Sequence, residues 1–278
     1  VPAVAYGLIF TDISYFLTVI QGLPADFTGL VISTMGISTF VASIFLGMAA
    51  DVYGRKKMLI AGNLLASIIV AVFALTTDPV LLIVAAILEG VSEAAVTASS
   101  SALLADKAES EKRTSLFSLY GFVQNLAFAL GSFAVPFVIF FELFGFTDKD
   151  SHVMLYTLIA ILGVFSTLIM LKVSESKKLK KPKAGEAGFL PRKSMSVLLK
   201  YVLTGAILAF GAGMVVPLMT LWFNLQYGIS DKISATILAV ASVLIGFATL
   251  VSPLIAKKFG LVKAIVITQL ASTLFMLL

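Results

Sequence analysis

The stretch GMAADVYGRKK, from Gly47 to Lys57, decides the fold class of this chain. It contains one acid, two glycines and three consecutive cations, and it lies between two long apolar segments. Lys and Arg concentrate in the cytoplasmic loops of membrane proteins, at the ends of their spans. The stretch therefore predicts a short membrane-surface loop, provided that the segments on both sides are membrane helices.

The composition favours a membrane protein. Of the 278 residues, 59% are hydrophobic and 13% are charged, whereas soluble domains are about half apolar and about a quarter charged. Apolar runs of about 18 to 25 residues recur, and each can cross a hydrocarbon core of about 30 Å as a helix. The runs lack strict apolar and polar alternation, so helices are favoured over barrel strands.

We predict nine spans and their orientation from the pattern of apolar runs and cations. The spans are residues 1–21, 28–49, 58–76, 80–104, 114–141, 153–172, 194–222, 231–255 and 262–278. The loops after the even-numbered spans carry most of the Lys and Arg, so these loops and the N-terminus are predicted to be cytoplasmic in a multi-pass cell-membrane protein. The net charge of +5 follows from these loops, and no nucleic-acid partner is predicted.

A weak internal repeat divides the chain. The basic segment 173–193 is predicted to be a cytoplasmic linker between a six-helix bundle at 1–172 and a partial bundle at 194–278, which holds helices 7 to 9. The run PLIAKKFGLVK, Pro253 to Lys263, repeats the pattern of the opening stretch in the second unit. Parallel duplication of this kind is typical of transporters, so about nine of twelve helices are expected here, in an incomplete chain.

The opening stretch resembles the signature of the major facilitator superfamily, which reads G-x-x-x-D-x-x-G-R-K/R-K/R after the second helix. The resemblance implies an all-α polytopic membrane protein with two six-helix repeats that works by alternating access. The chain departs from the family at two places. Ile87 stands where helix four often has an arginine, and the glycine and proline of Leu130–Pro136 are too far apart for the pattern of exporters.

The signature predicts a conformational latch, meaning contacts that keep the cytoplasmic side closed. Gly47 should let helices approach closely, and Gly54 should allow a tight turn. The resemblance implies that Asp51 faces a helix N-terminus in the other half, on a helix absent from this sequence. It also implies that Arg55 pairs with an acid at the end of helix four, which Asp106 supplies. The alternative is a topology anchor only.

Three acids lie at membrane depth and are the candidates for proton coupling or substrate binding, because ionisable residues there are usually functional. They are Asp12 in span one and Glu89 and Glu93 in span four, where the i, i+4 spacing places both glutamates on one helix face. In the family, helices one and four line the central cavity, so the three acids are expected to meet there. The alternative is that they bond Ser, Thr or Asn on neighbouring helices.

Other polar or bent positions complete the site prediction. Gln124, Asn125 and Pro217 are candidates for lining the cavity, and the amides could equally form interhelical hydrogen bonds. His152 is predicted to be a solvated loop residue. With one histidine and no cysteine, no metal site and no cofactor are predicted.

The predicted function is secondary active transport of a small solute, coupled to protons or another ion, by a monomer in the lipid bilayer. No phosphate-binding Gly-x4-Gly-Lys-Ser/Thr loop is present, so ATP hydrolysis by such a loop is excluded and no enzyme is predicted. The absence of an intramembrane Arg or Lys favours a cationic or neutral solute, as for a multidrug or metabolite exporter. The alternatives are a uniporter of the same fold and a non-transporting receptor or scaffold subunit.

Overall fold

The computed structural model describes residues 2–107, 112–172, 203, 205–207 and 210–276, and all regular structure in these residues is helical. Within the described part of the chain, eight helices are long and apolar enough to cross a membrane: α1 Pro2–Ile20, α2 Ala25–Tyr53, α3 Arg55–Leu75, α4 Pro79–Lys107, α5 Arg113–Leu143, α6 Asp148–Met170, α7 Gly205–Tyr227 and α8 Asp231–Phe259. A shorter helix, α9, covers Leu261–Met276. The all-α polytopic prediction is confirmed, and the predicted linker at 173–193 lies outside the described residues.

Three helices contain local irregularities. The last turn of α1, Phe16–Ile20, is π-helical. In α5 and α7, the short segments Val135–Phe137 and Val216–Leu218 are 3₁₀-helical, and each has a proline at its centre. Proline removes a backbone donor and clashes with the preceding turn, so the regular α-helix is interrupted there.

The turn between α2 and α3 consists of one residue. Gly54 has a φ of +103°, which favours glycine, and its N–H donates to the carbonyl oxygen of Ala50 at 3.2 Å. The predicted tight turn is therefore present, but the predicted end of the second span at residue 49 is too early, because α2 continues through Tyr53. The same arrangement recurs at Gly260, whose φ of +81° separates α8 from α9.

The helices pack around α1 and α4. Helix α4 contacts α2 and α3, α3 contacts α6, α1 contacts α5, and α5 contacts α8. Gly90 of α4 allows the closest approach to α2, because a Cβ at this position would lie 2.5 Å from the carbonyl oxygen of Met35. Gly47 was predicted to have this role and does not, since a Cβ there meets no described atom within 4 Å.

Burial follows the positions of the helices. Helix α1 is 61% buried over its apolar window, whereas α2 and α8 are 11% and 17% buried. The core therefore surrounds α1, where Leu8, Ile9 and Phe16 are fully enclosed. Large apolar side chains such as Phe40 of α2 point outward, as expected for surfaces that face lipid.

Candidate functional site

A cavity of about 290 Å³ lies between α1, α3, α4 and α5. Its wall combines acids, amides, hydroxyls and aromatic rings with no Lys or Arg among the described residues. The wall is formed by Pro2, Ala3, Tyr6, Ala66, Glu89, Ser92, Glu93, Val96, Thr97, Gln124, Asn125 and Phe128.

The two glutamates of α4 are the charged groups of this wall. Glu89 is 4% exposed, and the Ser92 hydroxyl lies 3.4 Å from its Oε2. Glu93 is half-buried, and its Oε2 accepts a hydrogen bond from the hydroxyl of Thr39 on α2 at 3.1 Å. Burying a carboxylate without a cationic partner costs free energy. Binding of protons or of a cation to this pair would reduce that cost.

Two aromatic rings and two amides also line the cavity. Tyr6, Phe10 and Phe128 make a cluster between α1 and α5, with ring centroids 5.3 to 6.0 Å apart. Gln124 and Asn125 lie in the wall, and the Asn125 amide donates to the carbonyl of Gly121 at 2.8 Å. The wall can therefore contact an apolar or cationic ligand through ring faces and carboxylates.

Pro217 lies outside this wall. It is buried in the 3₁₀ segment of α7, which contacts α1. Its position explains the interruption of α7, but it does not line the cavity that holds the glutamates.

Asp12 does not join the glutamates, and the expectation that the three acids meet is wrong. Asp12 lies six residues after Tyr6 on α1, which is about 9 Å along the helix axis. It is completely buried, and its Oδ2 accepts a hydrogen bond from the hydroxyl of Tyr156 at 3.0 Å. One carboxylate oxygen of Asp12, one ring nitrogen of His152 and one carboxylate oxygen of Asp231 lie within 4.8 Å of one another.

His152 is buried inside the protein, and its prediction as a solvated loop residue is wrong. Helix α6 begins earlier than predicted because Thr147 caps it, with the Thr147 Oγ1 accepting from the backbone N–H of Asp150 at 3.1 Å. This places His152 in the second turn of the helix. The sequence signal was available, since Thr followed by acids at the first and third positions is typical of a helix start.

Both ring nitrogens of His152 have close partners. The Nδ1 atom lies 2.8 Å from the backbone oxygen of Asp148, and the Nε2 atom lies 2.9 Å from Oδ2 of Asp231 at the start of α8. Next to this pair, Lys232 contacts Glu142 at 2.6 Å and Asp148 at 3.5 Å. Asp231 was not predicted as a site residue, because no local pattern distinguishes it from the acids that commonly occupy the first turn of a helix.

Arg55 is the centre of the ion pairs at the opposite end of the bundle. Its Nε and Nη2 atoms donate to Oδ1 of Asp51 at 3.1 and 2.9 Å. Its Nη1 atom donates to the carboxylate of Asp106 and to the backbone oxygen of Ala102, the latter at 3.0 Å. The predicted pairing of Arg55 with Asp106 is present, and it joins the ends of α2, α3 and α4.

The long apolar helices and the polar cavity between four of them define a class of protein, namely polytopic α-helical membrane proteins. Within that class, the chain belongs to the Major Facilitator Superfamily, whose sequence profile matches residues 3–278. This is a family of membrane transporters, and the resemblance of the stretch Gly47–Lys57 to the family signature indicated the same family.

Two relatives have names that refer to drug resistance. The chain is 25% identical over 246 residues to Multidrug resistance protein 2 of Bacillus subtilis, covering 85% of this chain and 59% of that protein. It is 25% identical over 215 residues to Quinolone resistance protein NorA of Staphylococcus aureus, covering 76% of this chain and 53% of that protein. The chain thus spans little more than half the length of these relatives.

Proposed function

We propose that the protein is a secondary active transporter that moves a small lipophilic solute, cationic or neutral, by alternating access and is driven by protons. The observation that carries this proposal is the pair Glu89 and Glu93 in a cavity wall without a basic residue among the described residues. Such a pair can exchange protons for a cationic solute. Two charges of one sign in one wall also disfavour an anionic solute.

The chemistry of the remaining wall supports the solute class. Ring faces from Tyr6 and Phe128 attract cations and stack against flat apolar groups. The amide of Gln124 can orient a polar substituent. The relatives named for multidrug and quinolone resistance favour export of such compounds.

The Arg55 cluster serves as the conformational latch in this proposal. Its contacts fix the ends of α2, α3 and α4 against one another, on the side where the cationic loops indicate the cytoplasm. Asp51 keeps 59% of its side chain exposed, so it can also meet a further partner. A topology anchor alone would need the cations but not the two acids.

The experiment is transport by the full-length protein in proteoliposomes with an imposed pH gradient and a fluorescent lipophilic cation such as ethidium. We expect uptake by the wild type to depend on the gradient. Glu93→Gln and Glu89→Gln should each lower gradient-driven transport at least tenfold. Asp26→Asn is the control, because Asp26 is an exposed acid in the first turn of α2, lies outside the cavity wall and should retain most of the activity.

The outcomes separate the alternatives. Gradient-driven transport that survives in both cavity variants would show that these glutamates do not carry the coupling. Transport that proceeds equally well without any gradient would identify a uniporter. Binding of the probe without transport would identify a receptor of the same fold.

A further inference from the structure

We infer that His152 and Asp231 form a second proton-binding site, separate from the cavity glutamates, in which a proton shared between them joins the two halves of the transporter. The site uses α1 and α6 of the first bundle and α8 of the second. Hydrogen-bond geometry, burial and charge support this site, whatever the identity of the transported solute.

The hydrogen bonds require an extra proton. The backbone oxygen of Asp148 can only accept, so the Nδ1 atom of His152 must donate to it across 2.8 Å. The Nε2 atom then faces Oδ2 of Asp231 at 2.9 Å. Two acceptors do not form a contact of this length, so one proton lies between them, on the Nε2 atom or shared by that atom with the carboxylate.

The surroundings keep that proton in place. His152 is completely buried and Asp231 is 1% exposed, so water cannot replace the bond if the proton leaves. The ring of Phe16 stacks on the imidazole at 5.8 Å between centroids. Losing the proton would leave two unpaired acceptors in contact, and separation of α6 from α8 would relieve this cost.

The charges around the pair also favour a cation. Ionisable side chains come from every element packed against it: Asp12 and Tyr15 on α1, Asp148 and Tyr156 on α6, Glu142 on α5 and Lys232 on α8. Together with Asp231 there are four carboxyl groups and one ammonium group, so a positive imidazolium reduces the excess of negative charge. The Oδ1 atom of Asp12 is buried without a hydrogen-bond partner among the described residues, and one oxygen of the Asp12 carboxylate lies within 4.8 Å of a ring nitrogen of His152.

The geometry favours a proton over a metal ion. A separation of 2.9 Å is that of a direct hydrogen bond. Two ligands at about 2.0 Å from a tetrahedral zinc ion lie roughly 3.3 Å apart. Proton binding is linked to the arrangement of the helices, because His152 lies on α6 and Asp231 lies on α8. A proton that binds only when these two helices are in contact must stabilise the arrangement in which they touch.

The test uses full-length protein with ¹³C- and ¹⁵N-labelled histidine, purified without a histidine tag, and NMR of the imidazole nitrogens. The His152 signal is identified by its loss in His152→Gln. We expect the fully protonated or proton-sharing signature in the wild type at pH 7.5, and a neutral tautomer in Asp231→Asn. Asp150→Asn is the matched control, since this exposed acid of the same helix contacts Thr147 and should leave the signal unchanged.

A second measurement reads the junction between the halves. Spin labels on cysteines at Lys149 of α6 and Ile233 of α8, both exposed, report the distance between these helices by pulsed EPR. The distance should stay short at pH 7.5 in the wild type and lengthen or broaden in alkaline buffer, with His152→Gln already lengthened at pH 7.5. The control variant should follow the wild type.

Three results would overturn the inference. The first is a neutral wild-type imidazole at pH 7.5, a result that needs no variant to fold. The second is a label distance that ignores both alkaline buffer and His152→Gln. The third is a wild-type histidine signal that zinc chloride shifts and EDTA restores, which would assign the site to a metal ion. Loss of transport in the glutamate variants would affect none of these readouts.

Discussion

Gly90 offers the sharpest test of how packing supports the cavity, because it lies between Glu89 and Glu93 in sequence and directly against α2. In Gly90→Ala, the new Cβ would lie 2.5 Å from the carbonyl oxygen of Met35 and 2.6 Å from the backbone nitrogen of Thr39. An ordinary contact begins at 3.4 Å, so α2 has to move away by about 0.9 Å.

The expected magnitude follows from comparing this variant with a matched one. Gly36→Ala places the same methyl group in the interior of α2, where no described atom lies within 4 Å. Both variants gain the same helix propensity of about 1 kcal/mol, which cancels between them. The remaining difference is the overpacking cost of Gly90→Ala, about 1 to 3 kcal/mol.

The assay is thermal unfolding in detergent, followed by transport in proteoliposomes. The difference between the variants corresponds to a melting temperature about 2 to 12 °C lower for Gly90→Ala than for Gly36→Ala. Because the shift of α2 also moves Thr39 away from Glu93, which it contacts at 3.1 Å, gradient-driven transport should fall in Gly90→Ala alone. Equal melting temperatures and equal transport in the two variants would refute the packing argument.

Three further variants test contacts away from the cavity. Thr147→Ala removes the cap of α6 and should cost about 1 kcal/mol in unfolding free energy, whereas Thr147→Ser should cost little; thermal melts compare them. Asn63→Leu removes a buried bond of 2.6 Å to Thr167 between α3 and α6, and should cost about 0.6 to 1.7 kcal/mol by detergent unfolding. Arg55→Lys loses the contact of two guanidinium nitrogens with Asp51, and it should lower the unfolding free energy by no more than about 1 kcal/mol because water screens these charges. A melting temperature that falls further than in Thr147→Ala would contradict this screening.

The membrane spans could be predicted from the sequence because their apolar runs are as long as a bilayer requires. Helix ends were harder to place. Thr147 starts α6 before the apolar run begins, and Gly54 ends α2 after its run has passed into charge. In both cases a cap or a backbone conformation sets the end, and hydropathy does not contain that information.

The candidate site was predicted in part. The i, i+4 spacing correctly placed Glu89 and Glu93 on one face, because that relation is local to one helix. The neighbours of Asp12 depend on how α1 rotates against α6 and α8, which no local pattern gives. The contact between His152 and Asp231 joins residues far apart in sequence, so it became visible only in the folded chain.

The single-residue turn at Gly54 has a mechanical consequence. Only Gly54 separates Tyr53 from Arg55, so the adjoining ends of α2 and α3 must move together. Helix α3 packs on α6, and α6 carries His152 at its far end. A displacement of the last turn of α2 therefore also moves the first turn of α3, on the helix that packs against α6.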